Sequence, residues 1–138
     1  MSPKIIKTLV AMLLVITIAG VVAIFFVLNK ESDTGKAMNI DDMVENSYTT
    51  EEIRTDLPDG NFVLIQFQFI TDTRDGLEEI EKREFQIKNE FIKLAVNMTA
   101  EDFKHNLAEV ESEMKTAMNT HMEEGNIVEV LVINKVIQ

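Results

Sequence analysis

Cysteine is absent from all 138 residues, which excludes disulfides, thiol catalysis, cysteine-ligated zinc and a lipidated-cysteine anchor together. Small extracellular domains often depend on disulfides, so stability here has to come from the core, a tether or neighbouring subunits. Histidine is nearly as scarce. His105 and His121 are the two present, and on one helix their separation is about 24 Å, too far to share a metal within one subunit. His121 falls on an apolar stripe and reads as a partly buried core residue. The five glycines include no phosphate-loop spacing and no G-x-S-x-G elbow. With so few histidines a Ser-His-Asp triad has no basis. No catalytic residue, metal site or cofactor is expected, and the many carboxylates read as solvated helix faces.

Acids are missing from one region. No Asp or Glu precedes residue 29, where Lys4 and Lys7 are the only charged side chains. The rest of the chain carries 11 basic and 24 acidic residues, a net of −13. That charge argues against nucleic acid, which needs a basic face, and against lying flat on an anionic membrane.

Residues 8–28 contain no charge, proline, asparagine or glutamine. Twenty-one residues make a helix of about 31 Å, matching a hydrocarbon core of about 30 Å. Its 14 Leu, Ile, Val and Phe residues favour insertion by at most about 4–8 kcal/mol. A cleaved signal peptide would have a shorter apolar run ending in small residues. This run instead leaves through Phe25, Phe26, Val27 and Leu28, so an uncleaved anchor is expected. The lysines ahead of it, against a mixed-charge far flank, place the N-terminus inside. The expected organisation is a cytoplasmic tail over 1–7, a transmembrane helix over 8–28, a linker over 29–47 and an extracytoplasmic domain over 48–138. Ala19, Gly20 and Ala23 make a small-residue patch that could pack against another helix.

Within the linker a helical turn is expected near residues 40–44. A hairpin follows: a strand over 48–57, turn chemistry at Pro58-Asp59-Gly60-Asn61, and a strand over 62–71. In that second strand Val63, Ile65, Phe67 and Phe69 share one face, and Leu64, Gln66 and Gln68 share the other. The Gln-bearing face is either the wetter side of the sheet or a docking surface. Asp72-Thr73-Arg74-Asp75-Gly76 fails as a calcium loop, because Arg83 stands where the twelfth-position Glu belongs. It reads as a capped strand-to-helix turn. One helix is expected over 77–98, with Ile80, Ile87, Phe91, Leu94, Ala95 and Met98 on its apolar face and Leu77, Phe85, Ile92 and Val96 widening it. Thr99-Ala100-Glu101-Asp102 resembles a capping box opening a second helix, with Gly125 placed to stop it. The last strand, 127–137, is apolar on both faces, as suits an interior strand or one covered by another subunit. The fold class is therefore α/β in the α+β sense: an N-terminal transmembrane helix, then a small β-β-α-α-β domain with two helices on a sheet.

The ordered segments resemble the flagellar basal-body-associated protein FliL family. The resemblance rests on Asp56-Leu57-Pro58-Asp59-Gly60-Asn61-Phe62, Glu81-Lys82-Arg83-Glu84-Phe85-Gln86-Ile87-Lys88-Asn89, Thr99-Ala100-Glu101-Asp102-Phe103, Met118-Asn119, Gly125-Asn126-Ile127-Val128 and Asn134-Lys135-Val136-Ile137-Gln138. Val128-Glu129-Val130-Leu131-Val132 departs from the more aromatic strand associated with the family. The resemblance implies a stomatin/SPFH-like domain and a motor accessory role at the flagellar basal body in the cell membrane. It also implies association with MotA/MotB-like stator proteins, self-association into a ring around the stator stalk, and support of stator activation and of motility or swarming. Lys82, Arg83, Phe85, Lys88 and Asn89, where the resemblance is densest, become candidate partner or oligomer contacts; Phe85 is equally readable as a core residue. Two other classes fit the residues alone: an extracytoplasmic ligand-sensing or scaffold module, and a membrane-tethered enzyme. The first would need a signalling domain that residues 1–7 do not supply, and the second lacks a site.

Overall fold

A computed structural model describes the backbone of residues 2–34 and 38–138, and the side-chain surroundings of residues 2–26 and 38–138. The chain divides into two units, Met1–Ala37 and Met38–Gln138.

The first unit is one helix, α1 (Pro3–Thr34). Ser2 starts it, its carbonyl accepting the N–H of Ile5 at 3.0 Å, and Pro3 stands at the first helical position, where its missing N–H costs nothing. Among the described residues, the stretch long and apolar enough to cross a membrane is Pro3–Phe26, and the helix continues back through Lys4 and Lys7. Lysines near a helix end can reach the interface with their charged tips. The two threonines in this stretch are satisfied locally: Thr8 Oγ1 donates to the Lys4 carbonyl at 2.9 Å and Thr17 Oγ1 to the Leu13 carbonyl at 2.8 Å. Neither hydroxyl therefore needs water.

The backbone of residues 29–34, expected as linker, continues α1. In the second unit the expected turn near 40–44 is α2 (Ile40–Glu45), capped by Asn39 Oδ1 accepting the Asp42 N–H at 2.9 Å. The expected strand over 48–57 is two short strands, β1 (Ser47–Thr49) and β2 (Ile53–Asp56). Between them Thr50 turns inward, and its Oγ1 accepts the Phe67 N–H at 3.1 Å. Both pair antiparallel with the same side of β3 (Phe62–Thr71). The hairpin turn forms as expected, with Gly60 at φ +87° and Leu57 donating to the Asn61 carbonyl at 2.8 Å. The face of β3 bearing Val63, Ile65, Phe67 and Phe69 is buried, and Leu64, Gln66 and Gln68 are half-buried.

The last strand, β4 (Ile127–Ile137), pairs antiparallel with the other side of β3. Among the described residues that is its only strand partner, so it lies at the sheet edge and not in the interior. Part of its two-sided hydrophobicity comes from bulges, while Val128, Ile133 and Val136 stay exposed. Register shifts at Phe67 and Ile70 leave Ile133 and Val128 unpaired on β4, and each such bulge reverses which residues face inward. Ile127, Val130, Val132, Lys135 and Ile137 thus stand opposite the core face of β3. The exposed edge is guarded. Lys135 points inward and donates to the Phe103 carbonyl at 2.9 Å, and the Val132 N–H donates to Glu111 Oε1 at 2.8 Å. Bulges, an inward lysine and a covered donor all discourage strand-to-strand pairing.

The two expected long helices are four: α3 (Arg74–Lys82), α4 (Glu84–Ala95), α5 (Ala100–His105) and α6 (Leu107–Asn119). The breaks fall at Arg83 (φ −97°, ψ 16°) and Asn106 (φ −120°, ψ 36°). Neither break needs proline or glycine. Each lets its flanking helices meet different neighbours: α3 packs on β1 and β3, α4 on β2 and α6. Thr73 caps α3 by accepting the Gly76 N–H at 3.1 Å. The Thr99–Asp102 capping box is present on α5, and Asp59 Oδ2 also accepts the Ala100 N–H at 2.8 Å, joining the hairpin turn to that helix. Backbone N–H donation from Ala100 and Asn61 holds the Asp59 carboxyl below its usual range.

The apolar residues of β3, α3 to α6 and β4 enclose one core. Leu77, Ile80, Ile87, Phe91, Ala95 and Met98 are buried as expected, whereas Phe85, Ile92 and Val96 are exposed. Gly125 does not end α6, which stops at Asn119. It crosses close to the Asp72–Thr73 turn at φ +136°, where a Cβ would come within 2.7 Å of Thr73 Oγ1. Gly125→Ala should therefore lower the stability of the 38–138 unit by about 1–3 kcal/mol, measurable by urea unfolding.

Candidate functional site

The residues singled out in the sequence lie on one stretch of surface, around the α3–α4 break and along α4. They do not behave alike. Lys82 and Asn89 are exposed. Phe85 is 69% exposed, so its reading as a core residue is wrong. The reason is rotational: Ile87, Phe91 and Ala95 already fill the inward stripe of α4, and Phe85 projects from the other side.

Arg83 is turned inward. Its Nε and Nη2 meet Glu79 Oε1 at 2.7 and 2.6 Å, and Nη1 donates to Gln86 Oε1 at 2.8 Å. Glu79 is buried, and its carboxylate also accepts the N–H of Glu123 at 2.9 Å and of Glu124 at 2.6 Å. Burial pushes the Glu79 carboxyl upward, but the Glu124 N–H, the Arg83 guanidinium and the Glu123 N–H outweigh it and hold it below its usual range. The helix break and the turn before β4 are thereby tied to one carboxylate.

Lys88 sits between Glu84 Oε1 at 3.2 Å and Glu51 Oε2 at 3.3 Å. Hydrogen bonding to Glu84 and then to Glu51 raises the Lys88 ammonium above its usual value. Tyr48 Oη donates to Glu84 Oε2 at 2.8 Å. Burial first, then this bond to a carboxylate, pushes the phenol well above its usual range. Farther along α4, Glu90 accepts from Lys93 at 3.1 Å and stands 3.1 Å from His121 Nε2. His121 is half-buried as expected, but its neighbours are the polar Glu90 and Gln86. His105 is exposed beside Glu101 at 3.3 Å. Among the described residues no group of three or more acidic, histidine or cysteine side chains is arranged to hold a metal.

Ile92 and Val96, expected to widen the apolar core face of the helix, are instead 44% and 57% exposed. With Phe85 and Asn89 they form a 4-3-4 spacing, one continuous ridge on the outer side of α4. The signal was present as a second apolar series outside the core series. Lys88 and Lys93 follow Phe85 and Asn89 by three and four positions, so they border the ridge. A second apolar pair was also missed as such: Ile40 and Val44 on α2, 69% and 65% exposed. On α1, Ala19, Gly20 and Ala23 are exposed, and among the described residues nothing beyond the helix's own adjacent backbone lies within 4 Å of where a side chain at Gly20 would begin.

Comparison with known proteins bears on the whole folded unit. The family described as flagellar basal body-associated protein FliL matches residues 47–138. The flagellar protein FliL of Bacillus subtilis (strain 168) is 31% identical over 113 residues, covering 80% of this chain and 81% of that protein. The family match begins at β1 and runs through β4, and the relative's match extends over four-fifths of the chain. This chain belongs to the FliL family of flagellar basal body-associated proteins.

Proposed function

We propose that this protein is a flagellar motor accessory that associates with MotA/MotB-like stator complexes as a ring around the stator stalk. Residues 1–7 remain cytoplasmic, α1 crosses the cell membrane once, and the folded unit lies outside as a stomatin-like ring-forming domain. Its work is binding, not catalysis. The observation carrying this reading is the α4 ridge, where three large apolar side chains stay exposed beside lysines. Isolated surface apolar residues are ordinary, but an ordered row marks an interaction face. Lys82, Phe85, Lys88 and Asn89 make the contacts, and Arg83 positions them through Glu79. In the membrane, Ala19, Gly20 and Ala23 pack against a neighbouring helix.

The ring acts by population shift: it binds the ion-conducting stator more tightly than the closed one and raises its occupancy by that ratio. A deletion strain should swarm poorly and generate less motor torque while still building filaments. Phe85→Glu, at an exposed position, should change folding stability by no more than about 0.5 kcal/mol yet reproduce the motility defect. Torque and swarming equal to the parent strain after deletion would overturn the reading.

A further inference from the structure

Four side chains between α4 and the end of α6 form a line of hydrogen bonds that all run the same way. Arg83 Nη1 donates to Gln86 Oε1 at 2.8 Å, Gln86 Nε2 faces His121 Nδ1 at 3.4 Å, and His121 Nε2 stands 3.1 Å from Glu90 Oε1. Both ends fix the direction. A guanidinium only donates, so the Gln86 oxygen belongs toward Arg83 and its NH₂ toward His121. At the other end, hydrogen bonding from His121 and then from Lys93 holds the Glu90 carboxyl below its usual range. An ionised carboxylate only accepts, so the imidazole proton sits on Nε2 and Nδ1 is left to accept from Gln86. The two requirements agree, and the line is complete for a neutral ring.

A charged ring breaks it. The His121 side chain is 30% exposed, so solvent can deliver a proton to Nδ1, and the new N–H then meets the Gln86 NH₂. Turning the Gln86 amide over repairs that contact but sets its NH₂ against Arg83. We propose that His121 and Gln86 form a proton-operated relay, in which charging the imidazole reverses the Gln86 amide and withdraws an acceptor from Arg83 at the α3–α4 break. The charged groups joined to this line are Glu90 and Lys93 on α4, Glu79 on α3 and Glu123 in the turn before β4, the last two through Arg83 at 2.6 and 3.8 Å. Histidine ordinarily changes charge between about pH 5 and 8, whereas carboxylates, lysine and arginine keep theirs there. Arg83 retains Glu79, so the fold persists, and what changes is how firmly Arg83 is held beside Lys82 and Phe85. On the topology proposed above, the proton it reads is that of the extracytoplasmic side. The relay itself is a property of the folded unit and stands whether or not that face contacts a stator.

Nitrogen NMR of the isotope-labelled full chain in detergent micelles, followed from about pH 8 to about pH 5, reads the relay directly. The His121 ring, the Gln86 side-chain amide and the Arg83 Nε–H should shift together with one shared midpoint. His105 supplies the internal comparison. It is exposed beside Glu101 at 3.3 Å, and among the described residues no amide meets its other nitrogen, so its titration should leave Arg83 unmoved. Gln86→Met should preserve the His121 titration and remove the shift at Arg83. Gln86 and Arg83 signals that stay fixed while the His121 ring charges would overturn the relay, as would a ring that stays neutral throughout. An Arg83 signal that still follows His121 in Gln86→Met would overturn the amide as the link and move the coupling to Glu79 or Glu123.

Discussion

Replacing Phe91 by alanine is expected to cost the folded unit about 3–5 kcal/mol. The ring is fully buried and sits between two others, 5.4 Å from Phe67 and 6.0 Å from Phe103, each at an interplanar angle of 69°. These edge-to-face contacts join three elements: β3 through Phe67, α4 through Phe91 itself and α5 through Phe103. Truncation therefore removes buried apolar area, leaves a cavity and deletes two aromatic contacts that add about 0.5–1.5 kcal/mol each beyond area. A unit of about 100 residues shifts its midpoint by roughly 4–8 °C per kcal/mol, so the variant should melt tens of degrees lower or fail to fold. Thermal unfolding of the 38–138 unit followed by circular dichroism reads this. A loss below about 1 kcal/mol would mean that the aromatic cluster is not the centre of the core.

The second large effect is expected at Glu79. Glu79→Gln keeps the shape but removes the charge and puts an amide N–H₂ where an oxygen now accepts backbone N–H groups. The Arg83 guanidinium, 20% exposed, loses its main partner. Leaving such donors unpaired costs about 2–4 kcal/mol. The effect has a pH signature. Because the folded carboxyl is held below its unfolded value, its contribution is fully present above the unfolded value and is lost as pH falls through the folded one. The gap between parent and Glu79→Gln should therefore be widest near neutrality and narrow below about pH 4. Urea midpoints measured across that range would show it, and a gap independent of pH would mean that the carboxylate is not the clamp.

The contrast between Phe91 and Phe85 shows where sequence was informative. Both lie on α4 and both belong to apolar series with helical spacing, yet one is the core and the other the surface. Periodicity marks that a helix has an apolar face, but not how many faces it has or which one meets the sheet. In β3 the question did not arise, because strict alternation from Val63 to Phe69 left one possible inward face. The hairpin turn and the Thr99 capping box were legible for the same reason: their chemistry is local. The breaks at Arg83 and Asn106 were hidden, since tertiary packing and not Gly or Pro creates them. The bulges at Val128 and Ile133 were hidden too, because they erase the very alternation that would mark a face. At the candidate site, Lys82, Phe85 and Asn89 are exposed, and Lys88 is half-buried between Glu84 and Glu51. The inward role of Arg83 depends on Glu79, Gln86 and the turn near Glu123, which spacing alone does not bring together.

The position of β4 has a consequence for the order in which the chain becomes solid. Thr71, at the end of β3, pairs with Ile127, 56 positions later. A chain emerging end-first from a ribosome or translocation channel exposes β3, already hairpinned to β2, long before the strand on its other side exists. At roughly 5–20 residues per second that interval is about 3–11 s. The sheet cannot close during it, however strong the local turns are. Distant pairing of this kind keeps a polypeptide pliable enough to be threaded, and makes completion of the fold one of the last events of its synthesis.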